Sequence, residues 1–262
     1  MSTDIIRLDL RMRRRGLWGY GLGMAVYAGL IVALYPNFKN DTSMDALARG
    51  NTTMAALFGI SGSLTSPAGW MNANLYANFV PLVVLLMTIG YGASCVAGQD
   101  EDAQLGLVAA LPLSRRSLVT QKAAALAVLA VPVPLVTLLA ALLGRRFDLT
   151  LPAWPLLGVT VATMLFGLDL GLVALLLGCL TGSRALALAV SASIAALGYL
   201  ISSLAPVIGW IHMVRDASPF YWAVGNDQVS HGLEPAHALA LLLLGAALFA
   251  GSVRAFERMD IQ

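Results

Sequence analysis

From Trp154 to Leu180 the chain reads WPLLGVTVATMLFGLDLGLVALLLGCL, with Asp169 as its one charged residue. A helix needs about 17–25 predominantly apolar residues to cross the hydrocarbon core of a bilayer, and this run is long enough. Five further stretches share its character: Leu17–Tyr35, Leu75–Ala97, Ala123–Leu143, Ala185–Leu204 and Ala236–Ser252. The sequence therefore predicts an all-α polytopic membrane protein with six transmembrane helices in a single domain, residues 1–262. Composition agrees. Charged residues are 11% of the chain and hydrophobic ones 58%, where an ordinary soluble domain carries about 25% charged residues. A soluble globule so poor in charge would leave large apolar patches in water.

Before the first run, Met1–Gly16 (MSTDIIRLDLRMRRRG) alternates charged and apolar residues at helical spacing. Ile5, Leu8 and Met12 fall on one face, with Arg7, Arg11, Arg14 and Arg15 around the other. This pattern predicts a short interfacial elbow helix whose arginines meet anionic lipid. The stretch is too polar for a cleavable signal. Placing both termini in the cytoplasm puts eleven of the sixteen lysines and arginines on that side. Lys39, Arg49, Arg145, Arg146 and Arg215 fall on the other. The excess supports this orientation in an inner or cytoplasmic membrane. The links GRRFDLTLPA and TGSR make the third, fourth and fifth spans antiparallel neighbours. Pro36–Asn74, with Trp70 near its end, and Pro206–Pro235, with Trp210, Tyr221 and Trp222, are expected as interfacial or partly re-entrant structure.

Several chemistries find no motif. There is no GxxxxGK[ST] phosphate loop, so ATP hydrolysis is not expected of this chain. No HExxH and no Cys/His spacing indicates a metal, and Cys95 and Cys179 read as buried thiols. His212, His231 and His237 read as polar loop residues near a membrane surface. The net charge of +2 and the lack of a basic run interleaved with aromatics exclude nucleic acid as a partner.

Asp169 has two readings. A charge at the bilayer centre costs about 2.5–3.5 kcal/mol on insertion scales, so it faces a cavity, a partner or the bundle interior. It is either a cation or proton site on a transport path, or a protonated or hydrogen-bonded Asp packed between helices. Gly90 and Gly92, and Gly167 with Gly171, are expected to let helices approach closely. Asn72, Asn74 and Asn78 mark the outer end of the second span.

The polar break Gly98–Lys122 (GQDEDAQLGLVAALPLSRRSLVTQK) is the other feature of note. Asp100, Glu101 and Asp102 suit a helix end at the membrane surface. Leu105, Val108 and Leu111 recur at i, i+3 and i+6, an apolar stripe that a soluble surface could accept. Pro112 forces a break, Ser114 is a good N-cap, and Arg115 and Arg116 precede the third span. These residues are the expected coupling site to a soluble partner, with the acids and arginines as polar anchors.

This segment resembles the signature of the type-2 ABC exporter permeases, approximately G-E-E-x-x-G-T-L-x-L-L-L-x-x-P-[VL]-S-R-x-x-[LV]-x-x-x-K. Glu101, Leu105, Leu107, Val108, Pro112, Leu113, Ser114, Arg115, Leu118 and Lys122 match it. Ala103-Gln104 stand where the family has Gly-Thr, and Gln99-Asp100 replace its first acids. SPAGWMNANLYANFVPL, Ser218-Pro219-Phe220 and the ending AFERMDIQ extend the likeness along the chain. The resemblance implies that residues 98–122 hold a coupling helix seated in a groove of a separate ATP-binding subunit. It also implies two copies of that subunit, which binds ATP and magnesium, and a second permease copy, identical or paralogous. The chain itself would bind no cofactor. Cargo would be hydrophobic or amphipathic: a drug, antibiotic, lipid or peptide. Two other functions fit the residues: a proton- or sodium-coupled secondary transporter using Asp169, and a membrane scaffold or sensor that binds an ATPase.

Overall fold

Six helices long and apolar enough to cross a membrane run through the computed structural model, which describes residues 4–41, 43, 50, 60, 63–106, 114–225 and 227–259. They are Ile5–Phe38, Pro67–Glu101, Arg115–Phe147, Ala153–Thr181, Arg184–Leu204 and Pro235–Glu257, called here the first to sixth spans. Every element among the described residues is helical. The fold is the expected all-α bundle, with most spans extending beyond the apolar runs that announced them.

The N-terminus differs from expectation. One helix covers Asp4–Phe38 without a break at Gly16, so the residues expected as a separate elbow continue the first span. Nothing local stops the helix. A single interior glycine costs only about 1 kcal/mol relative to alanine, and Ile5 and Asp9 are buried against the third span's side of the bundle.

Two spans carry irregularities with clear causes. In the third, Pro132 and Pro134 lack amide protons, and the helix Arg115–Leu129 bends at Ala130–Val131 before restarting at Pro132–Leu143. The second contains wider π-turns at Asn72–Tyr76 and Ser94–Gly98, flanking the regular helix Phe79–Ala93. Buried threonines inside the spans satisfy themselves: the hydroxyls of Thr88, Thr137, Thr160 and Thr163 each donate to the carbonyl four residues earlier.

The fourth span is the axle of the bundle, packed against the second, third, fifth and sixth, while the first lies on the third. Over their most apolar windows the second and fourth spans are 67% and 61% buried, against 17% for the fifth and sixth. The peripheral helices therefore present most of their apolar surface outward, to lipid or to another chain. Close approach at the axle rests on glycine as expected at three positions. A Cβ at Gly92 would strike the Gly171 carbonyl oxygen, one at Gly167 would strike Val84, and one at Gly171 would lie 2.6 Å from a Leu126 methyl. Gly90 is different, with open space around it.

At the face opposite the termini, Ser66 caps the helix that opens the second span, accepting from the Gly69 amide at 3.1 Å. The Trp70 indole donates to the Ile31 carbonyl at 3.0 Å and its ring stacks on Phe38. The Ser218-Pro219-Phe220 corner pins the fifth span to the fourth: the Ser218 hydroxyl donates to the Gly198 carbonyl, and Phe220 meets Phe166 and Tyr199 edge-on.

Candidate functional site

At the terminal face, where Asp4 and Glu257 lie, three spans meet around one buried polar cluster. Asp9 sits one turn after Ile5 on the buried side of the first span. Its Oδ2 accepts from the Tyr91 hydroxyl at 2.6 Å and lies 3.5 Å from Lys122 Nζ. Lys122 also donates to Gln99 Oε1 at 2.8 Å, and the Ile5 amide donates to Gln121 Oε1 at 3.2 Å. The Lys122 and Asp9 side chains are 1% and 7% exposed. Charges so enclosed persist only when paired and further hydrogen-bonded, and both conditions are met. Beside the pair, Arg13 donates to the Ser94 hydroxyl at 2.7 Å and lies 4.9 Å above the Tyr91 ring.

Gln99 leads directly into the segment expected to couple to a partner. The second span ends in a tight left-handed cap. The Gln104 amide donates to the Gln99 carbonyl at 2.8 Å and the Ala103 amide to the Asp100 carbonyl at 2.9 Å, with Ala103 at φ 54°. This is the 6→1, 5→2 pattern that closes a helix. It turns the chain back, so that Leu105 is fully buried in the core of the bundle. Leu105 itself therefore does not face outward as expected; Val108, Leu111 and Pro112 lie outside the described residues.

Of the remaining coupling residues, Ser114 caps the third span as expected, accepting from the Ser117 amide at 3.2 Å. The polar anchors turn inward to the chain itself. Glu101 Oε1 accepts from the Arg184 amide at 2.8 Å, at the start of the fifth span. The Arg115 guanidinium donates to the carbonyls of Phe256, Glu257 and Met259, the last at 2.7 Å. Arg116 pairs with the Glu257 carboxylate at the surface. Asp100 lines a cavity of about 610 Å³ with Thr181, Arg254 and Arg258.

A second cavity, of about 740 Å³, runs between the first, second and fifth spans. Its walls are mainly apolar, with Leu82, Leu86 and Ile89 facing Leu188, Ala192 and Ala195, and with Tyr27, Asn74 and Asn78 toward one end. Near the terminal face it adjoins a polar cavity of about 360 Å³ that holds Arg13, Gln99, Asp102, Gln104 and Arg184. Leu86 and Gly90 line both, so Gly90 serves the groove where a helix contact was expected. The groove thus has a polar mouth and an apolar length.

Asp169 is 1% exposed and lines neither cavity. Its Oδ1 faces Gly245 on the sixth span, where a Cβ would lie 2.5 Å away. The Asp9–Lys122 pair was not anticipated from sequence as a unit. Its signal was present: Asp9 follows Ile5 by four residues, an acid on the apolar face of an arginine-rich helix.

No three His, Cys, Asp or Glu residues group as a metal site among the described residues. Comparison with curated proteins gave no match. A family model does match: that of the ABC-2 family transporter protein, over residues 3–261. With nearly the whole chain covered and six apolar helices in the bundle, the protein belongs to the ABC-2 family of transporter proteins, as a multi-pass membrane permease.

Proposed function

We propose that this permease is the membrane half of an ATP-driven exporter in the cytoplasmic membrane, with both termini in the cytoplasm, and that it moves a hydrophobic or amphipathic molecule outward. The groove between the first, second and fifth spans carries this reading, because its polar mouth and apolar walls suit one molecule with a polar head and an apolar body. A second permease copy placed against this side would close the groove into a path. Two ABC-type ATP-binding subunits, which hold the ATP and magnesium, would dock at the terminal face around residues 98–122. Export is favoured over import by the family resemblance, and the arginine-rich terminal face supports the cytoplasmic placement of the termini.

A proton- or sodium-coupled mechanism through Asp169 is not favoured, since that carboxyl is enclosed between the fourth and sixth spans, away from the groove. The test is reconstitution with an ABC-type ATP-binding subunit. The exporter reading predicts ATP-dependent accumulation of an amphipathic dye in inverted vesicles, insensitive to a protonophore. Accumulation driven by a proton or sodium gradient without ATP would overturn it. ATP hydrolysis without any dye movement, across a panel of amphiphiles, would favour a scaffold or sensor.

A further inference from the structure

We propose that Glu101 is a strut: by capping the fifth span it makes that helix, one wall of the groove, follow the coupling segment. The proposal rests on the exporter reading above and assigns Glu101 a positioning role inside the permease, distinct from contact with an ATP-binding subunit.

The geometry at this point is specific. Arg184 is the first residue of the fifth span, and its amide is one of the initial N–H groups that no helical carbonyl can reach. Ser183 Oγ accepts from the Leu186 amide at 3.3 Å, and Glu101 Oε1 takes the Arg184 amide at 2.8 Å from eighty-three residues away in sequence. A carboxylate there is also favoured by the positive end of the helix dipole. Only Gly182 and Ser183 join the fourth and fifth spans, with Gly182 at φ 64°. Nothing but this two-residue turn separates the cap from the axle. Gly98 supports the crossing: Arg184 Cδ lies 3.3 Å from where a Cβ on that glycine would be.

The fifth span is well placed to move. Ala187, Ser191 and Gly198 are its only fully buried residues, while Leu188, Ala192 and Ala195 line the groove. At its other flank the coupling segment is tied by Arg115 to the carbonyl end of the sixth span. A push on the segment therefore reaches the fifth span through Glu101 and the sixth through Arg115. The hydrogen bond needs an acceptor at 101 and an amide at 184. It does not need the charge of Glu101 or the side chain of Arg184.

That requirement gives a test with four variants. Glu101→Ala removes the acceptor, and Glu101→Gln keeps an acceptor without charge. Arg184→Pro removes the amide while leaving a helix that tolerates proline at its first position. Ser183 already has the extended backbone (φ −110°, ψ 116°) that a following proline demands. Arg184→Ala keeps the amide. Hydrogen exchange of the purified permease is read over the first turn of the fifth span, and ATP-driven dye transport and ATPase co-purification are read in the reconstituted complex. Glu101→Ala is expected to speed exchange there roughly five- to tenfold, the scale of a lost cap. Glu101→Ala should cut transport roughly tenfold against the unsubstituted complex, and Arg184→Pro roughly tenfold against Arg184→Ala, within the range of allosteric couplings, with ATPase binding unchanged. The double variant should be no worse than Arg184→Pro alone, Glu101→Gln should retain most transport, and Arg184→Ala serves as the baseline for Arg184→Pro because both lose a side chain that lines the polar mouth. Unchanged exchange in Glu101→Ala overturns the cap. If Glu101→Gln instead fails as badly as Glu101→Ala and sheds the ATPase, Glu101 is a direct charged contact and the strut is wrong. If the unsubstituted complex shows no ATP-driven transport, the exporter reading falls and the strut with it, while exchange still reports on the cap alone.

Discussion

Lys122 and Asp9 form an ion pair sealed from solvent, with Nζ 3.5 Å from Oδ2, where the first, second and third spans converge. Removing one member leaves the other buried without a counter-charge, which costs about 3–5 kcal/mol. Lys122→Met is therefore expected to lower the thermal unfolding midpoint of the detergent-solubilised permease sharply. Asp9→Asn in the Lys122→Met background should recover most of the loss, because the stranded charge is gone and Tyr91 keeps its acceptor. A double variant as unstable as Lys122→Met alone would show that packing of the lysine stem, not the pair, carries the effect.

Ala103 occupies a left-handed position that glycine adopts without strain. Its φ of 54° closes the second span and directs Leu105 into the core. A non-glycine residue pays roughly 1–2 kcal/mol for this conformation, part of which glycine gives back through a freer unfolded chain. Ala103→Gly is expected to stabilise the permease by up to about 1 kcal/mol, and Ala103→Val to destabilise it. Thermal midpoints measured side by side would decide. A loss of stability in Ala103→Gly would mean that the alanine methyl makes a contact worth more than the strain.

Much of the fold was legible because burial in a bilayer leaves long unbroken runs, and each of the six runs became a span. The Ser114 cap followed from residue chemistry alone, while the bend before Pro132, not expected from the sequence, has an equally local cause. Other features were not legible, for physical reasons. Whether Met1–Gly16 breaks from the first span depends on what Ile5 and Asp9 pack against, and only the assembled bundle supplies Gln121, Tyr91 and Lys122. The i, i+3 pattern from Leu105 announced an apolar stripe without saying which way Leu105 faces; the cap at Ala103 decides that for Leu105. Glu101, Arg115 and Arg116 were recognisable as anchors by type, but their partners lie 83 to 144 residues away along the chain. Gly90 and Gly92 look alike in sequence, and only the helix's rotation sets one in the groove and the other on Gly171.

Gly245 and Asp169 are matched across the fourth and sixth spans, the absent side chain making room for the carboxyl. Gly245→Ala would bring a methyl to 2.5 Å from Asp169 Oδ1, closer than carbon and oxygen can sit. The expected result is a destabilisation of about 1–3 kcal/mol, typical of overpacking. Asp169→Ala combined with Gly245→Ala should relieve it, so the two changes together should cost less than the sum of the singles. Unfolding midpoints of the four proteins complete the cycle. Strict additivity would mean that the sixth span shifts freely and that the two residues do not constrain one another.

If cargo follows the groove rather than the buried carboxyl, substitutions at the two places should separate cleanly. Ala195 lies on the groove wall of the fifth span and is not among its fully buried residues. Ala195→Trp therefore fills the groove without opening a cavity or displacing the axle. It is expected to cut ATP-dependent transport of an amphipathic dye by roughly tenfold or more, as loss of a near-complete path would, while ATPase co-purification stays intact. Asp169→Asn conserves volume and leaves the groove untouched, so its transport should stay within about twofold of the unsubstituted protein, and its profile against pH should be unaltered. The contrast is measured in the same inverted vesicles at matched protein density. Full transport in Ala195→Trp together with loss in Asp169→Asn would move the path to the interface of the fourth and sixth spans and reinstate the carboxyl as its polar point.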